Sequence, residues 1–315
     1  MAFRILGLHH VTATVDQAQA DLDFFAGALG MRLVKKTVNF DNRHVYHFYY
    51  GDAIGTPGTI WTTFPYHGHG VREGQHGSGQ VTATALSVPS GSLDFWLERL
   101  AERGHSPLRL PPRFGEAVAA TIDPSGLTIE LVATERDHRE PWLASGITSA
   151  QAFRGVHSVT MTIASPAETI AFMTSVLGFT AMATEGDRTR LTVGGPGPGH
   201  EFDVVAAPTT PRGMNGVGTV HHVAMAVATA EEQVRIRKML LDLGVQVTRV
   251  LDRQYFQSIY FREPGGVLFE VATAQPGFAI DEAPDELGLA LKLPAWEEAN
   301  RPDIESGLAP VVVPR

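Results

Sequence analysis

The chain has 315 residues, of which 43% are hydrophobic and 19% charged, and it carries a formal net charge of −9 at pH 7. It contains no cysteine, which excludes disulfides and thiolate-bound metal centres and leaves nitrogen and oxygen atoms as metal ligands. The net negative charge and the lack of clustered Lys and Arg predict that the protein has no nucleic-acid partner. The lack of a signal-peptide core or a long apolar run predicts a cytoplasmic protein with no membrane partner.

A unit of one strand, one amphipathic helix and two or three further strands occurs four times along the chain. Each first strand alternates apolar and polar residues, and each helix begins near a Ser, Thr or Asp and ends at Gly. The first strands are HHVTATV from His9, GQVTATALSV from Gly79, VHSVTMTI from Val156 and HHVAMAV from His221. Four βαβββ modules predict an α+β fold, in which two modules can close one curved sheet around a shared cavity.

The module spacing also predicts the division of the chain. Modules one and two are expected in residues 1–135 and modules three and four in residues 154–275, with a linker at 136–153. Residues 276–315 form an acidic, Pro-containing C-terminal extension. Because this extension contains Leu and Trp, we expect it to pack over a module or a subunit interface.

Aligning the four modules predicts equivalent positions on their strands. On the first strands these positions are His10, Gln80, Ser158 and His222, and on the last strands they are Trp61, Glu130, Asp203 and Glu270. Alternation in module four places Phe269 and Val271 with the apolar residues, so Glu270 points to the same face as His222. The histidines and the carboxylate are therefore predicted to share a face of the sheet.

The choice of partner modules decides which side chains meet in the cavity. Modules three and four together would contribute Ser158, Asp203, His222 and Glu270. Modules one and four would contribute His10, Trp61, His222 and Glu270, the only combination with two imidazoles and one carboxylate. That ligand set suits non-haem iron(II), because it leaves coordination positions free. A carboxylate between apolar residues also favours a cation partner, since an unpaired buried charge is costly.

These features resemble a known family. The four modules, the HH pairs in modules one and four, and REPGGVLFE ending in Glu270 resemble the vicinal oxygen chelate superfamily of extradiol dioxygenases, glyoxalases and bleomycin resistance proteins. FDNRHVYHFYYGDAIGTPGTIWTTFP and RQYFQSIYFREPGGVLFEVAT are similar to its branch of hydroquinone and chlorohydroquinone 1,2-dioxygenases. The resemblance implies that His10, His222 and Glu270 bind the metal, and that modules one and four share the metal-binding barrel. It also implies catalytic roles near the metal for His9, His221, Arg253 and Tyr260.

The resemblance further implies oxygen-dependent cleavage of a hydroquinone-like or catechol-like ring. The expected cofactor is Fe(II), with Mn(II) as a substitute and Zn(II) as an adventitious occupant, and the expected partners are a small aromatic substrate, O2 and further copies of the chain. Two alternatives stay open. A glyoxalase-like isomerase or lyase commonly has a fourth protein ligand, where this chain has Trp61. A non-catalytic binding or resistance protein would leave the ligand set without an explanation.

Overall fold

The computed structural model describes residues 3–314 and contains the four predicted βαβββ modules. Module one comprises β1 (Ile5–Val15), α1 (Ala18–Leu22), β2 (Arg32–Asn39), β3 (Asn42–Gly51) and β4 (Ile60–Pro65). Module two comprises β5 (Gln80–Pro89), α2 (Leu93–Glu102), β6 (Leu108–Arg113), β7 (Glu116–Ile122) and β8 (Thr128–Thr134). Module three comprises β9 (Gly155–Ile163), α3 (Pro166–Ser175), β10 (Thr180–Glu185), β11 (Arg188–Thr192) and β12 (Glu201–Ala206). Module four comprises β13 (Thr219–Val227), α4 (Ala230–Asp242), β14 (Leu251–Asp252), β15 (Gln257–Arg262) and β16 (Leu268–Thr273).

Each helix packs an apolar stripe against a sheet. In α4 the side chains of Gln233, Ile236 and Leu240 are buried at helical spacing, and the Thr229 hydroxyl accepts a hydrogen bond from the Glu232 N–H. In module one α1 continues as a π-helix over Asp23–Ala28, which buries Phe24 and Phe25. These helices lie on the outer faces, so the inner face of each sheet is left for polar residues.

The strands form two eight-stranded sheets that combine non-consecutive modules. The first sheet has the order β14-β15-β16-β13-β1-β4-β3-β2, and the second has the order β10-β11-β12-β9-β5-β8-β7-β6. Strands β1 and β13 pair antiparallel at the centre of the first sheet, and β5 and β9 do so in the second. Modules one and four therefore build one curved sheet, and modules two and three build the other.

The C-terminal extension packs on module one. It contains short 3₁₀ turns at Phe278–Ile280 and Glu298–Asn300 and the helix α5 (Arg301–Gly307). The ammonium group of Lys35 on β2 is fully buried between the carboxylates of Asp281 and Glu282. Because a buried ammonium ion requires anionic partners, this contact holds the extension on the first sheet. Among residues 3–314, no helix is long and apolar enough to cross a membrane.

Candidate metal centre

Two imidazoles and one carboxylate meet on the inner face of the first sheet. The Nε2 atoms of His10 and His222 lie 3.1 Å apart. Oε2 of Glu270 lies 3.3 Å from Nε2 of His10 and 2.8 Å from Nε2 of His222. All three side chains are almost completely buried. Three buried donor atoms thus surround one point.

The strand register explains why these residues meet. His10 on β1 pairs with Ala224 on β13, and Ala224 pairs in turn with Glu270 on β16. His222 precedes Ala224 by two residues, so its side chain points to the same face. The methyl side chain of Ala224 separates His10 from Glu270 without filling the space between them. Backbone pairing among β1, β13 and β16 therefore holds the three ligand atoms in place.

The donor set fits a divalent metal ion. Atoms bound at right angles about 2.1 Å from one ion lie about 3.0 Å apart, close to the separations observed here. The Ser258 hydroxyl donates a hydrogen bond to Oε1 of Glu270. Oε2 of Glu270 is buried and has no hydrogen-bond donor among residues 3–314. Burial would raise the pKa of Glu270, but His10 and His222 hold it well below its usual range, so the group is a carboxylate. A cation at this point would satisfy the oxygen.

A second histidine supports each histidine of this set. Nδ1 of His9 lies 2.9 Å from Nδ1 of His10, and Nδ1 of His221 lies 2.8 Å from Nδ1 of His222. Burial, together with the neighbouring imidazole, lowers the pKa of His9 and of His221 to about 3, so both rings are neutral. Each can accept a hydrogen bond at Nδ1 from the Nδ1–H of its neighbour. This assignment leaves the Nε2 lone pairs of His10 and His222 directed at the metal position.

His10 and His222 line a cavity of about 350 Å³. Tyr260 on β15 pairs with Glu270 across the sheet, and its ring centroid lies 5.5 Å from that of His222. The Arg253 Nε–H donates to the Tyr260 hydroxyl over 3.3 Å, and Nη1 of Arg253 lies 3.1 Å from Oδ2 of Asp41. Both side chains line the cavity, as does His221. The structure thus places all seven sequence-predicted site residues at this centre, with His9 behind His10.

The cavity wall also contains residues that the sequence analysis missed. Besides the predicted Tyr260, its aromatic members are Phe40, Tyr49, Phe64, Tyr66 and Phe256. The buried ring of Phe256 packs against both His9 and His10, with centroids 4.9 and 5.2 Å away. His47 on β3 is the additional imidazole of the wall. The alternation in RHVYHFYY, which puts His47 and Tyr49 on one face of β3, is the sequence signal that identifies them.

The prediction that Trp61 faces this cavity is wrong. Trp61 on β4 pairs with Val11, and its buried ring packs in the core with its centroid 5.3 Å from that of Phe25. The position equivalent to Glu270 is Thr62, which pairs with Thr12, two residues after His10. Since successive side chains point to opposite faces, a one-residue error in the alignment moved the position to the other side of the sheet.

Gln80 is also misplaced in the predicted alignment. It lies at the start of β5, where its side chain accepts a hydrogen bond from Gly77 N–H and donates one to Asn215. The residue of β5 that corresponds to His10 is Ala83, which pairs with Thr160 as His10 pairs with Ala224. The second sheet therefore offers a methyl group where the first sheet offers an imidazole.

The second sheet holds another group of potential ligands, but arginines already occupy it. Ligand atoms of Glu116, His157 and Glu201 lie within 4.8 Å of one another. Nη1 of Arg190 lies 2.7 Å from Oε2 of Glu201 and 3.2 Å from Oε2 of Glu116. Nη2 of Arg136 lies 2.7 Å from Oε1 of Glu116. Guanidinium groups supply the positive charge here, so this cluster does not require a metal.

Comparisons with known proteins give a consistent result. The model of the "Glyoxalase/Bleomycin resistance protein/Dioxygenase superfamily" matches residues 7–131 and 155–271. The chain is 41% identical over 313 residues to the "Putative ring-cleaving dioxygenase MhqO" of Bacillus subtilis, covering 99% of each chain. It is 37% identical over 298 residues to the "Chlorohydroquinone/hydroquinone 1,2-dioxygenase" of Sphingobium indicum, covering 92% of each.

Solved structures with similar folds extend the comparison. The crystal structure of a "putative dioxygenase" from Bacillus subtilis has a TM-score of 0.94 at 40% identity and covers 100% of both chains. Glyoxalase I from Zea mays has a TM-score of 0.62 at 15% identity over 87% of this chain and 93% of that chain, which is a likeness of fold alone. The predicted α+β class with two curved half-barrel sheets is confirmed.

Proposed function

The chain belongs to the Glyoxalase/Bleomycin resistance protein/Dioxygenase superfamily, and from this premise we propose that it is a ring-cleaving dioxygenase for hydroquinone-like aromatic rings. The family resemblance drawn from the sequence is confirmed by whole-length similarity to relatives of that name. We further propose that His10, His222 and Glu270 hold the metal, and that the native metal is iron(II). When bound, iron(II) supplies the Lewis acidity and the one-electron chemistry that a reaction of an aromatic ring with dioxygen requires.

The observation that supports this proposal most directly is the three-ligand arrangement. The position that mirrors Glu270 in module one is Thr62, whose hydroxyl bonds to Thr12 and His47. Among residues 3–314, the ligand group at this centre contains His10, His222 and Glu270 alone. One face of the site is thereby left open toward the cavity. A dioxygenase needs that face for both the aromatic substrate and dioxygen, whereas a glyoxalase-like site commonly uses a fourth protein ligand.

The surrounding side chains have distinct proposed roles. Because the Tyr260 hydroxyl accepts from Arg253, its own proton is free to be donated into the cavity. Burial raises the pKa of Tyr260, which keeps this hydroxyl protonated. His221 is neutral and lines the cavity, and because its Nδ1 accepts a hydrogen bond from His222, its Nε2 carries the hydrogen and can act as a donor. The aromatic wall excludes water and stacks against the substrate ring.

Oxygen consumption by the reconstituted protein tests the proposal. The metal-free protein is loaded anaerobically with iron(II), mixed with hydroquinone, chlorohydroquinone or catechol, and followed with an oxygen electrode. We expect one O2 per ring cleaved and faster turnover of the hydroquinones than of catechol. Loading with manganese(II) tests the proposed substitute. Loading with zinc(II) is the control, because zinc has no redox chemistry and should support binding without oxygen uptake.

Other results would assign the protein to a different class. Metal-dependent isomerisation without oxygen uptake would indicate a glyoxalase-like enzyme. Tight binding of a small molecule by a protein that takes up no metal would indicate a resistance protein. Catechol turnover exceeding that of every hydroquinone tested would place the chain with the catechol-cleaving enzymes of the superfamily.

A further inference from the structure

His47 occupies a position in the cavity wall that the metal centre does not explain. It lies on β3, and its ring packs against the rings of Tyr49 and Phe64, with centroids 3.9 and 4.2 Å away. Its side chain is half-buried and lines the same cavity as His10 and His222. Among residues 3–314, no hydrogen bond or ion pair joins it to His10, His222 or Glu270. A polar ring has thus been placed in an otherwise aromatic part of the wall.

The hydrogen bonds of His47 determine where its proton lies. Nε2 of His47 is 2.9 Å from the Thr62 hydroxyl, and that hydroxyl donates to the Thr12 hydroxyl over 2.9 Å. A threonine hydroxyl has one proton, so Thr62 must accept from His47. Nε2 of His47 therefore carries the hydrogen. Burial lowers the pKa of His47 well below its usual range, so the ring is neutral and its Nδ1 has a free lone pair.

The Nδ1 lone pair of His47 accepts no hydrogen bond from any side chain or backbone group of residues 3–314. It is also not among the enclosed polar atoms that lack a partner, so it is accessible from the cavity. Hydrogen bonds link the His47 ring to the Thr62 hydroxyl and the Thr62 hydroxyl to the Thr12 hydroxyl. Thr12 in turn pairs with His222 across the sheet. The protein therefore holds one hydrogen-bond acceptor at a defined position beside the metal centre.

We infer that His47 is a substrate-binding residue, whose Nδ1 accepts a hydrogen bond from the hydroxyl of the dihydroxylated ring that does not bind the metal. The inference rests on the proposed function and specifies its substrate class: the ring carries a second group that donates a hydrogen bond. Tyr49 and Phe64 flank His47 and confine the ring edge that carries this group. An aromatic substrate with one hydroxyl satisfies the metal but leaves the acceptor of His47 without a partner, which costs affinity.

Binding without turnover tests the inference. The full-length protein is loaded with zinc(II), and the Kd values of hydroquinone and 4-fluorophenol are measured by calorimetry under anaerobic conditions. The two ligands have similar shapes, but fluorine cannot donate a hydrogen bond. We expect wild type to bind hydroquinone about tenfold more tightly, the ratio that one neutral hydrogen bond provides. In His47→Gln, whose amide can still donate to Thr62 but leaves no acceptor in place of Nδ1, the ratio should fall to about one.

Three further variants separate this role from packing. His47→Asn places an amide oxygen near the position of Nδ1 and should restore part of the preference. Thr62→Val removes the acceptor that determines the proton position and should weaken the preference with the ring intact. Phe64→Leu, the matched packing control, should weaken both ligands equally and leave the ratio unchanged. Each variant is first checked for a cooperative unfolding transition and for one zinc ion per chain. If His47→Gln does not fold, the ratio of the two Kd values is measured in the Asn and Val variants instead.

The inference is overturned if wild type does not distinguish the two ligands, or if the ratio stays near tenfold in folded His47→Gln and Thr62→Val. Failure of the proposed function is a separate outcome. Iron-loaded wild type would then consume no oxygen with any dihydroxybenzene, whatever the binding ratio of the zinc-loaded protein.

Discussion

His10 and His222 are 212 residues apart in the chain, yet their Nε2 atoms lie 3.1 Å apart. Backbone pairing between β1 and β13 produces this proximity, and each ring is also held from behind by the histidine that precedes it. Two imidazoles and a carboxylate whose Oε2 has no hydrogen-bond donor among residues 3–314 form a site that a cation completes.

Removing any one ligand should abolish metal binding. His10→Ala, His222→Ala and Glu270→Ala each leave two of the three donors, and we expect metal content to fall from about one divalent ion per chain to near zero. Elemental analysis after reconstitution and desalting measures this content. His157→Ala is the matched control, because His157 is a buried histidine whose neighbours Glu116 and Glu201 are paired with arginines. Full metal content in Glu270→Ala would contradict the assignment of that carboxylate.

Ser258 should contribute to metal affinity through the orientation of Glu270. Its hydroxyl occupies Oε1 and leaves Oε2 directed at the two histidines. We expect Ser258→Ala to weaken metal binding about 10- to 100-fold without removing a ligand, as is typical of residues that orient metal ligands. Competition with a chromophoric chelator measures the change in Kd. Ser158→Ala, at a buried serine of the second sheet, should retain the wild-type Kd.

Arg253 and its partner Asp41 should differ in their importance. The Arg253 side chain is mostly buried and contacts Tyr260, whereas the Asp41 side chain is 74% exposed. We expect Arg253→Gln to lower kcat/KM for hydroquinone at least about tenfold, since Tyr260 loses its donor. Asp41→Asn should change kcat/KM by no more than about twofold, because an exposed ion pair contributes little. Steady-state oxygen uptake measures both, and equal losses would contradict this division of roles.

Asp21, a buried residue of α1, should make the stability of the protein depend on pH. Burial raises the pKa of this carboxyl from 3.8 to about 7, although Thr63 and Tyr50 donate hydrogen bonds to it. The folded state therefore binds a proton more tightly than the unfolded state. The stability that the protonated group provides is complete below about pH 4 and is lost as the pH rises to about 7.

The expected size of this loss is up to about 4 kcal/mol of unfolding free energy, given 1.36 kcal/mol for each pKa unit. Asp21→Asn should therefore show a flatter dependence of unfolding free energy on pH than wild type between pH 4 and 8, measured by urea denaturation of the metal-free protein. Asp23→Asn, at an exposed position of the same helical segment, is the control and should follow the wild-type profile. Parallel profiles for wild type and Asp21→Asn would show that this carboxyl does not titrate as expected.

The sequence alone was sufficient for the features that depend on local pattern. The βαβββ repeat was visible because period-2 strands alternate with capped, amphipathic helices. In the strand LFEVAT, the apolar residues Phe269 and Val271 flank Glu270, so period-2 geometry placed Glu270 on the face opposite to theirs. His10 and His222 were identified by their matching positions in modules one and four. These inferences required only that equivalent strands in a repeat present equivalent faces.

Only the tertiary structure decided which side chains complete the site. The β4 segment IWTTFP does not alternate, so its sequence could not show that Trp61 points to the core and Thr62 to the cavity. The partners of His47, Glu270 and Asp203 lie on other strands, at distances along the chain that no local pattern encodes. Strand pairing determines the face of each residue, and a shift of one residue reverses it. Local pattern thus identified the ligands, whereas register and side-chain contacts determined the cavity around them.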